Sequence, residues 1–184
     1  MPNQRQLQKS QTRAKVVDVA MQVYAEQNLS TSTLAVAKAA HVSHGTIFAH
    51  FPTKDDLLIA MVQQVCTPLV TATDAATSLP DFLQQHIAVL TKYEALYRRF
   101  ISEQDALPAA AKQVLVAAQA TVAVHFQAAL ATTSVKSIAP GLLFNTWQGL
   151  VQYYLLNSEQ FAPTGSVLAR YGDTLIDTFE RLIS

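Results

Sequence analysis

Apolar and polar positions follow the helical period along nearly the whole chain. Val16, Val17, Ala20, Val23 and Tyr24 fall at i, i+1, i+4, i+7 and i+8, one stripe of a helix over about 11–27. Asn28 stands where a left-handed residue is expected to close that helix. Thr31 and Ser32 offer hydroxyl N-caps for a short helix through Ala40, and Ser43 caps another through about Phe51. Pro52 disfavours helical geometry before it and brings no backbone donor, so the second short helix ends there. Thr53 caps a fourth helix with Asp55 and Asp56 in its first turn, where negative charge suits the dipole. Its apolar face is Leu57, Leu58, Met61, Val62, Val65, Cys66 and Leu69.

The remainder reads the same way. Ser78-Leu79-Pro80-Asp81 resembles a capping box with Pro at the first helical position and Asp in place of Glu. It opens one helix carrying Phe82, Leu83, Ile87, Leu90, Tyr93, Tyr97, Phe100 and Ile101. Further helices are predicted from Pro108 to about Ala131, from about Ile138 to Leu156, and from Pro163 to the end. No strand-like alternation and no repeat period interrupts this. The expectation is an all-α fold. Two uncharged stretches, Gln113–Val135 and Ser137–Ser158, reach the roughly 20 residues of a membrane span. Amides and hydroxyls recur in both at a cost in lipid, so they read as helices of a soluble protein without a membrane partner. The first ten residues hold no apolar segment, so no secretory signal is read there and a cytoplasmic protein is expected.

Residues 31–51 hold two very short helices around a tight turn: TSTLAVAKAA, HV, SHGTIFAHF. A helix of roughly nine residues is marginal alone, so each must pack on its neighbours. Leu34, Ala37 and Ala40 on the first, and Ile47, Phe48 and Phe51 on the second, are the candidate core, with Val42 at the corner. The second helix then exposes Ser43, His44, Gly45, Thr46 and His50, short or donor-bearing side chains of the kind a major groove accepts. On residue chemistry alone, a solvated helical hairpin is the readier interpretation.

Charge changes the picture. The chain is neutral overall, with 13 basic and 13 acidic residues among 184. Residues 1–54 nevertheless carry six basic residues against two acidic, and the rest seven against eleven. That is a net +4 facing a net −4, the footprint of an N-terminal module that meets a polyanion. Arg5, Lys9 and Arg13 form an N-terminal arm suited to phosphates or the adjacent minor groove. Only 14% of residues are charged and half are apolar, which excludes disorder and suggests that a second copy covers part of the surface. The one cysteine, Cys66, excludes an intrachain disulfide and a Cys-cluster zinc site, and nothing basic beside it in sequence supports a redox thiol. No HExxH, Glu-x-x-His, glycine-rich phosphate loop or Gly-x-Ser-x-Gly element is present. No catalytic residue, metal or cofactor is therefore expected, and the chain is not read as an enzyme.

From about Thr12 to Val65 the chain resembles the DNA-binding region of the TetR family of bacterial transcriptional regulators, through TRAKVVDVAMQVYAEQN, TSTLAVAKAAHVSHGTIFAHF and TKDDLL. The resemblance implies that His44, Gly45 and Thr46 lie at the groove and that Thr33 reaches bases or backbone. It also implies that Ser32, Ser43, His50 and Lys54 belong to the same double-stranded DNA surface, with Ser32, His50 and Lys54 on phosphates. The sequence departs from the family in His41 and Asn28, where glycine is usual, and in Phe48, where tyrosine is common.

The resemblance further implies two domains. Residues 1–53 would form the arm and helix-turn-helix DNA-binding domain, and residues 54–184 a helical domain for effector binding and dimerisation, with a helix over about 54–70 connecting them. In such a homodimer the last two helices pair with their mates, and Gly149 permits close approach. The middle helices would enclose a small-molecule effector of unknown identity, with His86, Tyr93, Tyr97, Phe100, His125, Phe126, Trp147 and Tyr154 as candidate lining. The function so implied is a repressor that binds a near-palindromic operator and is released by its effector. The alternative is a dimeric helical adaptor whose DNA-binding surface is vestigial.

Overall fold

The computed structural model describes residues 3–133, 135 and 138–184. Met1 and Pro2 of the N-terminal segment, and Ser134 and Ser137 at the edges of the two uncharged stretches, lie outside the described residues. The helices are α1 (Gln4–Glu26), α2 (Thr33–Ala40), α3 (His44–His50), α4 (Lys54–Asp74), α5 (Leu79–Lys92), α6 (Glu94–Ser102), α7 (Ala109–Leu130), α8 (Pro140–Leu156), the single turn α9 (Ser158–Phe161) and α10 (Val167–Ile183), with a 3₁₀ turn at Gln104–Ala106. No strand occurs among the described residues. The protein is all-α, as the periodicity requires.

Helix α1 begins about two turns before the expected start near residue 11. Asn3 accepts the backbone N–H groups of Arg5 and Gln6 at 2.8 and 3.1 Å, and the Gln6 side chain accepts the N–H of Asn3 at 3.1 Å. This reciprocal cap starts the helix at residue 4, in a segment too polar to show periodicity. The expected arm is therefore helix, and a helix is too wide for the minor groove. Arg5, Lys9 and Arg13, at i, i+4 and i+8, instead form one basic row along α1. Asn28 does not take the left-handed conformation; its side chain accepts the Ser30 N–H at 2.9 Å in a local turn.

The chain divides into two compact units. The first contains residues 1–64 and 99–114, the second 65–98 and 115–184. These divisions fall inside α4 and take residues 99–114 into the first unit, whereas the sequence reading divided the chain once, at 53/54. The reason is a pair of bonds of long sequence separation. Glu103 accepts the Leu29 N–H at 2.7 Å, and Arg99 donates to the Ala25 carbonyl at 3.3 Å while pairing with Glu103 at 2.8 Å. Together they satisfy the polar backbone at the end of α1.

The single helix expected from Phe82 to Ile101 is two, broken at Tyr93. The break places Glu94 at the start of α10, where its carboxylate accepts the N–H groups of Val167 and Leu168 at 2.8 and 2.9 Å and the Ser166 hydroxyl. A negative group at this end suits the orphan donors and the dipole. The last helix starts at Val167 rather than Pro163, because Ser166 caps it and Gly165 turns the chain at φ +84°. Helix α10 packs on α5 and α8. The closest approach is at Gly172, where a Cβ would stand 2.7 Å from Ile87 Cγ2; a Cβ on Gly149 would meet nothing within 4 Å. Among the described residues, α4 and α7 are long and apolar enough to cross a membrane, with 50% and 28% of their most apolar windows buried within the protein.

Candidate nucleic-acid interface

Helices α1, α2 and α3 pack as a unit, α2 lying on both of the others. The inward face of α2 is Thr33, Val36, Ala37 and Ala40, at i, i+3, i+4 and i+7. Leu34, expected in this core, is 45% exposed, because the stripe runs through Val36. Ile47 and Phe51 anchor α3, at 0% and 1% exposure, while Phe48, also expected inside, is 45% exposed. Arg13 stacks over the Phe51 ring at 4.7 Å and so ties α1 to the end of α3. The turn between α2 and α3 closes through His41 at φ 53° and ψ 46°, the left-handed region where glycine is usual and histidine bears some strain.

Ser43 caps α3 by accepting the Thr46 N–H at 3.0 Å, and the two hydroxyls are 2.8 Å apart. Ser32 precedes α2 as its N-cap residue but makes no side-chain cap bond, so its exposed hydroxyl stays available. Gly45 is exposed, and a Cβ there would meet only Ser43 Oγ at 3.7 Å, an ordinary contact. Nothing in the fold demands glycine at this position. His44 lies with Nε2 2.9 Å from Thr33 Oγ1 and its ring 4.7 Å from that of Phe48. Thr33 itself is 8% exposed, which removes it from the surface where the resemblance placed it.

Basic groups flank this helix. Burial, then the nearby Lys9 and Arg13, hold His50 below its ordinary pKa, toward the neutral form. Lys54 opens α4 with its ammonium 5.6 Å from the Tyr24 ring centroid; burial lowers its pKa and Asp55 opposes that. Thr53 and Asp56 cap α4 reciprocally at 2.9 and 3.1 Å, so the Lys54 backbone is fixed. Ser32, Ser43, His44, Gly45, Thr46, His50 and Lys54 thus keep surface within this one unit, joined by Lys9 and Phe48. The spacing of His44 and Phe48 at i, i+4 was the sequence signal for that last member.

Residues 16–61 match the family model for bacterial regulatory proteins of the tetR family. That stretch is similar to the DNA-binding domain of the family. The chain's N-terminal helices are a helix-turn-helix DNA-binding module of a transcription regulator. In fold, the chain is similar over its length to solved regulators. It matches a TetR-family transcriptional regulator from Agrobacterium tumefaciens at TM-score 0.75 and 16% identity, covering 96% of this chain and 100% of that one. It matches a regulator of the TerR/AcrR family from Aquifex aeolicus at 0.74 and 13%, covering 93% and 99%. It matches the TetR-family regulator PfmR from Thermus thermophilus at 0.71 and 12%, covering 91% and 96%. At these identities the likeness is one of fold. No curated protein matches in sequence.

Three of the eight candidate effector residues are brought together. His86, Phe126 and Trp147 share one aromatic cluster of the second unit with Phe82, Phe144 and Phe179, at centroid distances of 5.3–6.2 Å. His86 is fully buried with both ring nitrogens unpartnered, as is the Trp147 indole nitrogen, and burial pushes the His86 pKa down to about 4. Tyr154 stacks on Phe161 at 4.2 Å and tilts against Tyr171 at 5.3 Å, in a different cluster. Tyr97 bonds Gln152; burial, then Cys66, raises its phenol to about 12. Tyr93 sits at the α5–α6 break beneath the Lys92 ammonium, and Phe100 belongs to the first unit. His125 is held by Thr73 Oγ1 at 3.0 Å and Asp74 at 3.3 Å. Burial raises the Cys66 thiol to about 11, so it is a poor thiolate. Among the described residues no group of three or more His, Cys, Asp or Glu side chains is placed to hold a metal ion.

Proposed function

We propose that the protein is a cytoplasmic repressor that binds a near-palindromic operator as a homodimer and releases it when a small molecule binds the second unit. The observation that carries the DNA-binding part is Gly45. It is an exposed glycine on α3 that packing does not require, beside outward Thr46 and His44 and flanked by basic groups. A backbone without a side chain is what close approach to a duplex needs. Two copies related by a two-fold axis would present their α3 helices about 34 Å apart, one turn of DNA. Exposed Leu142, Tyr153 and Leu156 on α8 and Leu182 on α10 are the side chains we assign to the pairing of subunits.

Gly45→Ala separates this reading from a vestigial surface. Alanine favours helix, so stability should hold or rise by up to about 1 kcal/mol. In gel shifts against DNA flanking the coding region, affinity should fall about tenfold, near 1.4 kcal/mol. Wild-type binding should also weaken steeply with added salt as counterions are released. Unchanged affinity in Gly45→Ala, or binding indifferent to salt, would favour the adaptor.

For the effector we assign the cluster of His86, Phe126 and Trp147, the candidates that share a wall, with unpartnered nitrogens to recognise a polar tip. A coupling of ~1–3 kcal/mol suffices to weaken DNA binding 5- to 150-fold. Trp147 is the one tryptophan of the chain, so its fluorescence reports on this cluster alone. A ligand that releases DNA should change that emission saturably, with the same midpoint as release. Release without any change in emission would move the effector site elsewhere.

A further inference from the structure

Thr33 and His44 form a pair that the DNA-binding role just described does not explain. The Thr33 hydroxyl is nearly buried and has His44 Nε2, at 2.9 Å, as its hydrogen-bond partner among the described residues. A hydroxyl brings one proton and two lone pairs, and a neutral imidazole brings one N–H and one lone pair. If Nε2 held the ring proton and Thr33 accepted it, the threonine proton would be left without an acceptor in a buried place, which is costly. The favourable arrangement is the reverse, with Thr33 donating to the Nε2 lone pair. The ring proton then sits on Nδ1, which meets no protein partner among the described residues. Phe48 confines the same ring from another side, its centroid 4.7 Å away at an interplanar angle of 56°.

We propose that Thr33 is a specificity-determining positioning residue: it fixes the ring and tautomer of His44 so that Nδ1–H is offered outward as a hydrogen-bond donor. The proposal rests on the DNA-binding reading and adds what His44 reads. A lone donor in the major groove suits acceptor edges, the O6 and N7 of guanine, the O4 of thymine or the N7 of adenine. It does not suit cytosine, which presents only its amino group there. Thr33 acts through His44 and does not touch DNA.

The test uses the full-length protein in two measurements. In a selection from randomised duplexes, wild type should exclude cytosine at one position per half-site. His44→Ala and Thr33→Val should both lose that preference, by about three- to tenfold, while other positions are kept. Thr33→Val keeps the branched shape and removes only the hydroxyl. Thr33→Ser restores the hydroxyl and should restore the preference. Without DNA, long-range proton–nitrogen NMR of the His44 ring should show the Nδ1–H tautomer in wild type and Thr33→Ser, and a mixture in Thr33→Val. An Nε2–H tautomer in wild type overturns the proposal, as does a Thr33→Val profile equal to wild type, or a uniform loss of affinity that Thr33→Ser does not rescue. If wild type enriches no sequence at all, the DNA-binding reading falls and this inference with it. If it does enrich and Thr33→Val changes nothing, only the inference falls.

Discussion

Replacing Phe51 with alanine is expected to destabilise the first unit by about 3–5 kcal/mol and to abolish DNA binding. The side chain is 1% exposed at the end of α3, its N–H bonds the Ile47 carbonyl at 2.8 Å, and Arg13 lies over its ring. Removing the ring leaves a cavity under a seven-residue helix that cannot persist by its own hydrogen bonds. The Arg13 guanidinium loses its platform at the same time, so the basic row of α1 is no longer tied to α3. Urea unfolding followed by circular dichroism measures the loss. A cost below about 1 kcal/mol would mean that α3 is braced by something other than Phe51 and Ile47.

Acidification should destabilise the second unit through His86. In the folded protein burial holds this histidine near pKa 4, against about 6.5 in the unfolded chain. Between those values the unfolded state binds the extra proton, so stability falls as pH falls. The contribution is fully present above about pH 6.5, declines through the interval, and is lost below about pH 4. At 1.36 kcal/mol per unit, the span amounts to roughly 3 kcal/mol. His86→Phe keeps an aromatic ring between Phe82 and Trp147 and removes the titration. The difference between wild-type and variant unfolding free energies should therefore change by that amount from pH 7 to pH 4. A difference independent of pH would show that His86 is already protonated, or solvated, in the folded state.

The caps of the short helices were legible in the sequence because they are local. Ser43 with Thr46, Thr53 with Asp56, and Ser78 with Asp81 each involve residues three apart, within one turn. The start of α1 was equally local, yet it was missed, since polar positions 4–10 carry no periodicity and only the Asn3–Gln6 pair betrays them. The inward face of α2 was legible at Ala37 and Ala40 but not at Leu34: a helix of eight residues gives two turns, too few to separate Leu34 from Val36 by pattern. The donor-bearing residues of α3 were legible as chemistry. That Thr33 of α2 is withdrawn from the surface was not, because its contact with His44 spans eleven residues.

What the sequence alone determined is the class of the protein: helical period throughout, hydroxyl and proline punctuation, and an excess of positive charge confined to the first 54 residues. All of these are encoded within a turn or two of chain or in simple counts. Only the tertiary structure decided where one helix stops because a distant group needs its residue. Glu94 breaks away from α5 to cap α10, and Glu103 and Arg99 draw residues 99–114 to the end of α1. Such choices are made by buried donors and acceptors seeking partners more than seventy residues away, and no local pattern records them.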